Sequence, residues 1–230
     1  MSDGARPDPE LVASFFTLSG GGFVDPPRNT FIQRCEAAAA AGFAGIGLHW
    51  EDLPRTVAAG VDVAEMRAVL RNNGLRLVEI EFLAGWALSG QLSPALLGIE
   101  AVCDALGGRQ VSAGEFGGEI ALDAEDALDR AADALRANAN RLAERGLLVA
   151  VESFPWSALR SIRIAKDLLR KADAPNAGLL IDVAFLQRRR LFCRPQRPDR
   201  CRDNRVPTQR RPAGAGRLPI PRPFATPTPR

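Results

Sequence analysis

The sequence holds few of the side chains from which common metal and redox sites are built. Its 230 residues include one histidine and four cysteines, and the cysteines form neither a CxxC pair nor the spacing of a zinc site. We therefore expect free thiols in a reducing compartment. No apolar run approaches the ~20 residues that a membrane helix needs, and the N-terminus lacks a basic region followed by a long apolar one. We expect no signal peptide, no membrane association and a cytoplasmic protein.

A second absence concerns nucleotide binding. No GxGxxG motif follows the first predicted strand, because Gly20–Gly22 lacks that spacing and has no helix directly behind it. This weakens a dinucleotide-binding interpretation. The composition is ordinary for a globular protein, with 46% hydrophobic and 25% charged residues. The length suits one domain with a sizeable core.

What the sequence does contain is a strand-and-helix pattern that recurs every 30 to 38 residues. Six such units predict a parallel α/β fold, either a closed barrel or an open doubly wound sheet. The strands are predicted at Leu11–Leu18, Phe43–Leu48, Leu75–Phe82, Arg109–Ala113, Leu147–Val151 and Ala177–Ile181. The helices are predicted from a cap at Asn29 or Thr30 through Ala41, from a cap at Asp62 through Asn73, and over Leu92–Leu106, Asp123–Arg145 and Ala158–Ala172.

The last two predicted strands each end on a carboxylate. The stretch GLLVAVESFPW places Glu152 at the end of the fifth strand, and AGLLIDV places Asp182 at the end of the sixth. Neither strand alternates apolar with polar residues, as expected for strands covered on both faces. Acids at the carboxyl ends of strands favour a (β/α)8 TIM barrel. Such a pair can hold Mg²⁺ or Mn²⁺, and each acid can instead cap a helix or pair with an arginine.

Two further strand ends carry polar candidates. His49, the only histidine, ends the second predicted strand, and it is interpreted as a substrate contact or a packing residue. Glu79 and Glu81 share one face of the third strand. Because two acids inside a barrel strand are costly unless they are paired or used, we predict an internal ion pair for Glu79 and a site role for Glu81, nearer the carboxyl end.

All three tryptophans, Trp50, Trp86 and Trp156, follow predicted strands at the expected active face. Flat apolar walls there suit a small polyol with exposed C–H faces. Ordinary packing of loops on the barrel rim would place tryptophans in the same positions.

The strand-and-helix pattern stops after Val183. Residues 186–230 contain 13 Arg, two Asp, nine Pro and no Lys, a formal charge of +11 that leaves −8 for the rest of the chain. Proline at this density prevents regular helices and strands. We therefore predict a partial barrel over residues 1–185 and a disordered basic tail over residues 186–230. A closed barrel usually needs about 250 residues, so two strands are missing.

Three origins of the tail remain open. The chain has 28 Arg, two Lys and no Tyr, which suggests a GC-rich gene whose out-of-frame reading yields mainly Arg, Pro, Ala and Gly codons. A frameshift near codon 183 therefore fits, and a sequence artefact would give the same polypeptide. A genuine basic arm that binds nucleic acid or an acidic surface is the alternative. The arm is poor in aromatic side chains for base stacking.

Three motifs, VEIEFLAGW (78–86), VAVESFPW (149–156) and NAGLLIDV (176–183), resemble the xylose-isomerase-like TIM-barrel superfamily. That superfamily comprises sugar isomerases and epimerases, apurinic endonucleases and inosose dehydratases, and the resemblance covers roughly residues 11–185. It implies that Glu152 and Asp182 bind a divalent metal (Mn, Mg or Zn) and that Glu152 is also one of two acid/base carboxylates. The family's Asp-x-x-His pattern has Phe185 in place of the histidine, and its ligands on strands seven and eight have no counterpart.

The resemblance implies an isomerase or epimerase of a small sugar or keto-polyol that works through an enediolate, as a homo-oligomer in many relatives. The departures predict that this chain is inactive, because two carboxylates alone bind metal weakly. The implied site comprises Glu152 as catalytic residue, Glu152 and Asp182 as metal ligands, and a substrate-binding set of His49, Glu81, Trp50, Trp86 and Trp156. The alternative is a non-catalytic binding module whose basic tail contacts nucleic acid or an acidic partner. An apurinic endonuclease fits poorly, since its chemistry needs several histidines.

Overall fold

The structure, a computed structural model, describes residues 10–21, 26–116, 122 and 125–183. Within these residues six parallel strands form one sheet in the order of the sequence. This is the α/β architecture of a TIM-barrel type, as predicted, with six strands described and helices described after the first five. The strands are β1 (Val12–Ala13), β2 (Gly45–His49), β3 (Arg76–Leu83), β4 (Gln110–Ala113), β5 (Leu148–Glu152) and β6 (Ala177–Leu180).

Helices follow the strands along the chain, as right-handed crossovers between parallel neighbours require. They are α1 (Phe15–Ser19), α2 (Phe31–Ala40), α3 (Asp52–Ala58), α4 (Val63–Asn72), α5 (Leu96–Leu106), α6 (Glu125–Ala143) and α7 (Ile162–Ala172). Their apolar faces pack against the sheet in one buried core that includes Ile46, Leu48, Ile80, Val111 and Val149. The prediction that the fifth and sixth strands are covered on both faces was wrong, because Leu148 of β5 is 48% exposed and no residue of β6 is fully buried.

Local capping chemistry explains where several helices begin. Thr30 caps α2 with a capping box, in which its hydroxyl accepts the N–H of Gln33 and the Gln33 side chain accepts the N–H of Thr30. Asp62 caps α4 by accepting the N–H of Glu65 at 2.8 Å. Asp62 was predicted as a cap, and Thr30 was one of the two caps, with Asn29, predicted for α2; both helices begin where these residues indicate.

In the N-terminal half of the sheet one local prediction was wrong and one helix was not predicted. The apolar run Leu11–Leu18 is a two-residue strand, Val12–Ala13, followed by helix α1, because Ser14 caps that helix by accepting the N–H of Thr17. The segment Asp52–Ala58, for which no helix was predicted, forms α3. A short apolar run does not distinguish a strand from a helix, and α3 is too short for a clear period.

The strand register brings the site candidates to one edge of the sheet. His49 lies opposite Glu81, and Glu152 lies opposite Leu180, immediately before the segment that contains Asp182. Because all strands are parallel, their carboxyl ends meet at this edge, where TIM-barrel proteins carry their active sites.

Two further findings concern the cysteines and the membrane helices. Cys35 is buried and Cys103 half-buried, and both are free thiols. Among the residues that the structure describes, no helix is long and apolar enough to cross a membrane. The predicted tail over residues 186–230 lies outside the described residues.

Candidate active site

A cavity of about 500 Å³ opens at the carboxyl ends of the strands. Its lining combines acidic, hydroxyl and aromatic side chains from five of the six strands or the loops behind them. The lining residues are Ser14, Phe16, Glu79, Glu81, Phe82, Ser112, Glu152, Phe154, Trp156, Leu180, Ile181, Asp182 and Val183. Four of the predicted site residues, Glu81, Glu152, Trp156 and Asp182, are therefore brought together here.

Glu81 is the most deeply buried acid of the cavity, with 4% of its surface exposed. Its Oε1 accepts the backbone N–H of Phe15 at 2.8 Å. Burial is the main cause that raises the pKa of Glu81 to about 8, and the neighbouring charges of Glu79 and Glu152 add to it, whereas the hydrogen bond from Phe15 opposes it. At neutral pH this carboxyl group is therefore mainly protonated.

The bond between Glu81 and Phe15 depends on a glycine in the adjacent strand. A Cβ atom at Gly47 would lie 2.5 Å from Oε1 of Glu81 and 3.0 Å from the backbone nitrogen of Phe15. Both distances are too short for any side chain. Only glycine at this position therefore leaves space for the carboxyl group of Glu81 to accept the backbone N–H at the start of α1.

Among the described residues, Glu79 does not form the ion pair that was predicted for it. Within the described part of the chain, its Oε1 accepts a hydrogen bond from the hydroxyl of Ser112 and a long one, 3.5 Å, from the amide of Gln110, and no basic side chain reaches it. Both partners lie on β4, the neighbouring strand. The charge of Glu79 therefore stays inside the cavity and acts on Glu81 and Glu152.

Glu152 lies at the end of β5 and is half-buried. Burial raises its pKa to about 7, with repulsion from Asp182 as the second cause and repulsion from Glu79 as the third. The two strand-end acids predicted from the sequence thus interact across the cavity. A carboxyl group with this pKa exchanges its proton readily at neutral pH.

Aromatic rings form one wall of the cavity. Phe154 stacks on Phe116 and on Trp156, with ring centroids 5.7 Å apart in both pairs and interplanar angles of 16° and 20°, and it lies 5.9 Å from Phe82. A Cβ atom at Gly114 would lie 2.8 Å from the ring of Phe82, so this glycine admits the cluster. Trp156 is 54% exposed at the cavity mouth.

Three predicted substrate contacts do not line the cavity. Trp86 is fully buried in the core, and its indole N–H donates to the carbonyl of Leu83 at 3.0 Å. Trp50 packs over Gly98 of α5, where a Cβ atom would lie 2.3 Å from the indole. For both residues the packing interpretation describes the observed position.

His49 lies behind the lining residue Phe16, with its ring 6.2 Å from that of Phe16 and stacked on Trp50 at 5.6 Å. Its Nδ1 accepts the backbone N–H of Glu51 at 3.3 Å, which requires an unprotonated nitrogen. Burial lowers the pKa of His49, and the charge of Glu51 opposes this. In the structure His49 packs against aromatic rings at the edge of the site and is not among the residues that line the cavity.

Sequence reasoning did not single out eight of the lining side chains, of which three are the aliphatic residues Leu180, Ile181 and Val183 and five are polar or aromatic. Ser14 and Phe16 belong to the segment that was predicted to be a strand, and Ser112, Phe82 and Phe154 lie within or just after strands. Their common signal is their position at the carboxyl end of a strand, the same signal that identified Glu152.

A parallel βα sheet with acids and aromatic side chains at the carboxyl ends of its strands is the arrangement found in TIM-barrel proteins. The family model described as xylose isomerase-like TIM barrel matches residues 35–193, more than half of the chain. The chain belongs to this family, as the motifs had indicated.

Solved structures agree on the fold. A xylose isomerase domain protein from Alicyclobacillus acidocaldarius is 21% identical, with a TM-score of 0.53 over 74% of this chain and 62% of that one. The IolI protein with a bound zinc atom is 14% identical, with a TM-score of 0.60 over 75% and 62%. D-allulose 3-epimerase from Methylomonas sp. in complex with D-allulose is 19% identical, with a TM-score of 0.56 over 74% and 61%.

The chain spans less than two thirds of the length of each of these proteins. Comparison with curated protein sequences finds no significant match.

Proposed function

We propose that this chain is a barrel of the isomerase and epimerase type, which binds a small sugar or keto-polyol and moves a proton on a carbon next to its carbonyl group. The observation that carries the proposal is Glu152, a strand-end carboxyl group with a pKa of about 7 inside an aromatic-walled cavity. Such a group takes a proton in one form and returns it in the other, which is the requirement for enolisation.

The neighbouring residues suit this role. Phe154 and Trp156 offer flat apolar surfaces to the C–H face of a sugar. Ser112 and Glu79 offer hydroxyl and carboxylate groups to its hydroxyls. Glu81 is held by Phe15 and lies deeper, so it fixes the floor of the cavity more than it reaches the ligand.

The family resemblance implies a divalent metal, and IolI has a bound zinc atom. In this chain Glu152 and Asp182 are the carboxylates in position to hold one. The described residues contain no group of three or more His, Cys, Asp or Glu side chains that could do so. Two oxygen ligands do not complete a divalent-metal site, so no step is assigned to a metal.

Because the described site lacks a second acid/base group, exchange of a substrate proton with solvent must be distinguished from net epimerisation of the substrate. Deprotonation and reprotonation on one face of the substrate need one carboxylate, whereas epimerisation needs a second acid/base on the opposite face. The resemblance places that second group on strand eight, which has no counterpart among the described residues. We therefore propose that this chain exchanges a substrate proton slowly and forms no epimer.

The proposal predicts that the 230-residue chain exchanges deuterium from D₂O into carbon 3 of D-fructose or D-allulose. Glu152→Gln keeps the shape of the side chain but cannot accept a proton, so the exchange rate should fall by about 10²- to 10⁴-fold. Proton NMR of the sugar at neutral pH, with a chelator present, measures the rate and would also detect an epimer.

The matched control is Glu65→Gln, which neutralises an exposed carboxylate on α4 far from the cavity. This variant should exchange at the rate of the unmodified chain. Equal rates for the unmodified chain and Glu152→Gln would remove the basis of the proposal.

The charge distribution favours a second candidate function. Residues 186–230 hold 13 of the 28 arginines in an otherwise acidic chain. If this segment is a genuine arm, the protein is a binding module that contacts nucleic acid or an acidic partner through counterion release. Reading the gene and transcript from codon 175 onward in all three frames distinguishes a genuine arm from a frameshift.

The binding-module hypothesis predicts salt-sensitive association with a DNA duplex. Raising salt from 50 to 200 mM should weaken binding by about 10³-fold or more if six or more phosphates are contacted. Deleting residues 186–230 should abolish it, as measured by fluorescence anisotropy. Unchanged affinity after the deletion would rule out the basic segment as the binding element.

A further inference from the structure

Glu79 and Glu81 form a pair of carboxyl groups that hydrogen-bond to each other inside the cavity. They lie two positions apart on β3, so both side chains project from the same face of the strand. An ionised carboxylate only accepts hydrogen bonds, so a bond between two carboxyl groups requires a proton on one of them. The contact between these two side chains therefore holds a proton inside the cavity.

The other hydrogen bonds of the pair leave one oxygen of each group for that proton. Oε1 of Glu79 accepts the hydroxyl of Ser112 and, at 3.5 Å, the amide of Gln110. Oε1 of Glu81 accepts the backbone N–H of Phe15 at 2.8 Å. Because no other donor within the described residues reaches either group, the two Oε2 atoms are the positions between which the proton lies. Donors at both Oε1 atoms allow either group to be the ionised one.

The two carboxyl groups differ in depth. Glu81 is 4% exposed, whereas Glu79 is half-buried and lies nearer to a ligand. Burial, followed by the charge of Glu79, raises the pKa of Glu81 to about 8, and the charge of Glu152 adds to this. Around the pair, the described part of the chain also places Asp182 in the cavity lining and His49 opposite Glu81 on β2. The shared proton therefore stays in place at neutral pH.

We propose that Glu79 is the acid that donates a proton to the carbonyl oxygen of the substrate, and that Glu81 is the positioning residue that holds the shared proton. The inference rests on the proposed function, since it adds a second group to the reaction assigned to Glu152. It is carried by the hydrogen-bonded carboxyl pair in the cavity lining.

Enolisation is easiest when a base and an acid act together. The carboxylate of Glu152 takes the proton from the carbon next to the carbonyl group, and the C–H electron pair forms the carbon–carbon double bond. The π electrons of the carbonyl group move to its oxygen, which takes the shared proton from Glu79. Glu152 is then neutral and both members of the pair are ionised, so the total charge of the three acids is unchanged. The reverse transfers restore the carbonyl group and the shared proton.

The test follows deuterium exchange into carbon 3 of D-fructose by proton NMR, for the full chain and for Glu81→Gln. In this variant the amide oxygen still accepts the N–H of Phe15 and the amide N–H donates to Glu79, but the two groups share no proton. The exchange rate at neutral pH should therefore fall by about 10²- to 10⁴-fold. The control Glu65→Gln, on the exposed face of α4, should match the parent.

The pH dependence of the rate separates a shared proton from a structural role of Glu81. The rate of the parent should fall as the pH rises through about 8, because the pair loses its proton there. Above that pH the rates of the parent and Glu81→Gln should converge. A structural role would lower the rate of the variant by the same factor at every pH, which would overturn the inference.

Glu79→Gln is the second variant, because it preserves the size of the side chain that faces the ligand but cannot transfer a proton. It should show a similar loss of rate at neutral pH and no decline through pH 8. Folding of each variant is checked by tryptophan fluorescence.

Infrared spectroscopy tests the shared proton without a substrate. The difference spectrum between the parent and Glu81→Gln should contain the C=O stretch of a protonated carboxyl group at neutral pH. This band should disappear as the pH rises through about 8. Absence of the band at neutral pH would overturn the inference.

The outcomes distinguish this inference from the proposed function. Exchange that requires Glu152 but proceeds equally in the parent, Glu79→Gln and Glu81→Gln would leave the proposed function standing and overturn the role of the pair. Absence of exchange in the parent chain would overturn both.

Discussion

Replacing Asp52 by alanine is expected to lower the free energy of unfolding by about 3–5 kcal/mol. Asp52, at the start of α3, forms an ion pair with Arg34 of α2, and the two side chains are 1% and 2% exposed. The substitution would leave the arginine charged, buried and unpaired. Urea unfolding followed by tryptophan fluorescence measures the change.

The apolar surroundings of Arg34 prevent water from replacing the carboxylate of Asp52 as a partner of its guanidinium group. Its guanidinium lies over the rings of Phe15 and Phe31, at 5.1 and 5.9 Å from their centroids, and its Nε donates to the carbonyl of Thr30. These contacts hold the side chain in an apolar environment, where an unpaired charge is most costly. A single domain has only about 5–15 kcal/mol of stability to lose.

Two comparisons separate the effect of burial from that of charge. Asp126→Ala breaks an exposed i,i+4 pair with Arg130 and should leave the unfolding midpoint unchanged. Replacing Arg34 and Asp52 together by methionine and leucine should recover much of the loss, because an apolar pair leaves no charge unpaired. An Asp52→Ala variant as stable as the parent would contradict a buried ion pair.

This pair also shows where sequence reasoning reaches its limit. The helix caps at Thr30 and Asp62 act within four residues, so the sequence predicts them. Arg34 and Asp52 are 18 positions apart on separate helices, and one of these helices, α3, was not predicted. No short-range pattern distinguishes this arginine from those on the surface.

The residues of the candidate site also fall into those that local sequence patterns predict and those that depend on contacts between distant segments. Glu152 and Asp182 were predicted because a run of buried residues ending on an acid is a local signal of a strand end. The partner of Glu79, Ser112, comes from the next strand, 33 positions later. Whether a tryptophan after a strand enters the cavity or the core depends on the conformation of its loop, which a local sequence pattern does not specify. Trp86 is buried in the core, whereas Trp156 is exposed at the cavity mouth.

Glu81 gives the second large effect, a loss of stability as the pH rises. In the unfolded chain its carboxyl group releases its proton near the ordinary value of 4.5, whereas in the folded protein it keeps the proton until about pH 8. Between these values unfolding releases a proton, so the free energy of unfolding falls with rising pH, with a slope of up to about 1.4 kcal/mol per pH unit. Below pH 4.5 and above pH 8 this contribution is constant.

Glu81→Gln should remove this slope, because glutamine resembles the protonated carboxyl group, does not titrate, and keeps an oxygen to accept the N–H of Phe15. The variant should match the parent near pH 4.5 and exceed it in stability at pH 8. Glu152, whose pKa is raised to about 7, contributes in the same direction. A smaller slope should therefore persist in the single variant and disappear when Glu152→Gln is added.

Denaturant titrations at half-unit pH steps provide the measurement, with Glu65→Gln as the control, since its exposed carboxylate should leave the curve parallel to that of the parent. Parallel curves for Glu81→Gln and the parent would mean that Glu81 is ionised in the folded protein. The cavity would then carry one more negative charge at neutral pH. That outcome would remove the protonated group from the floor of the cavity.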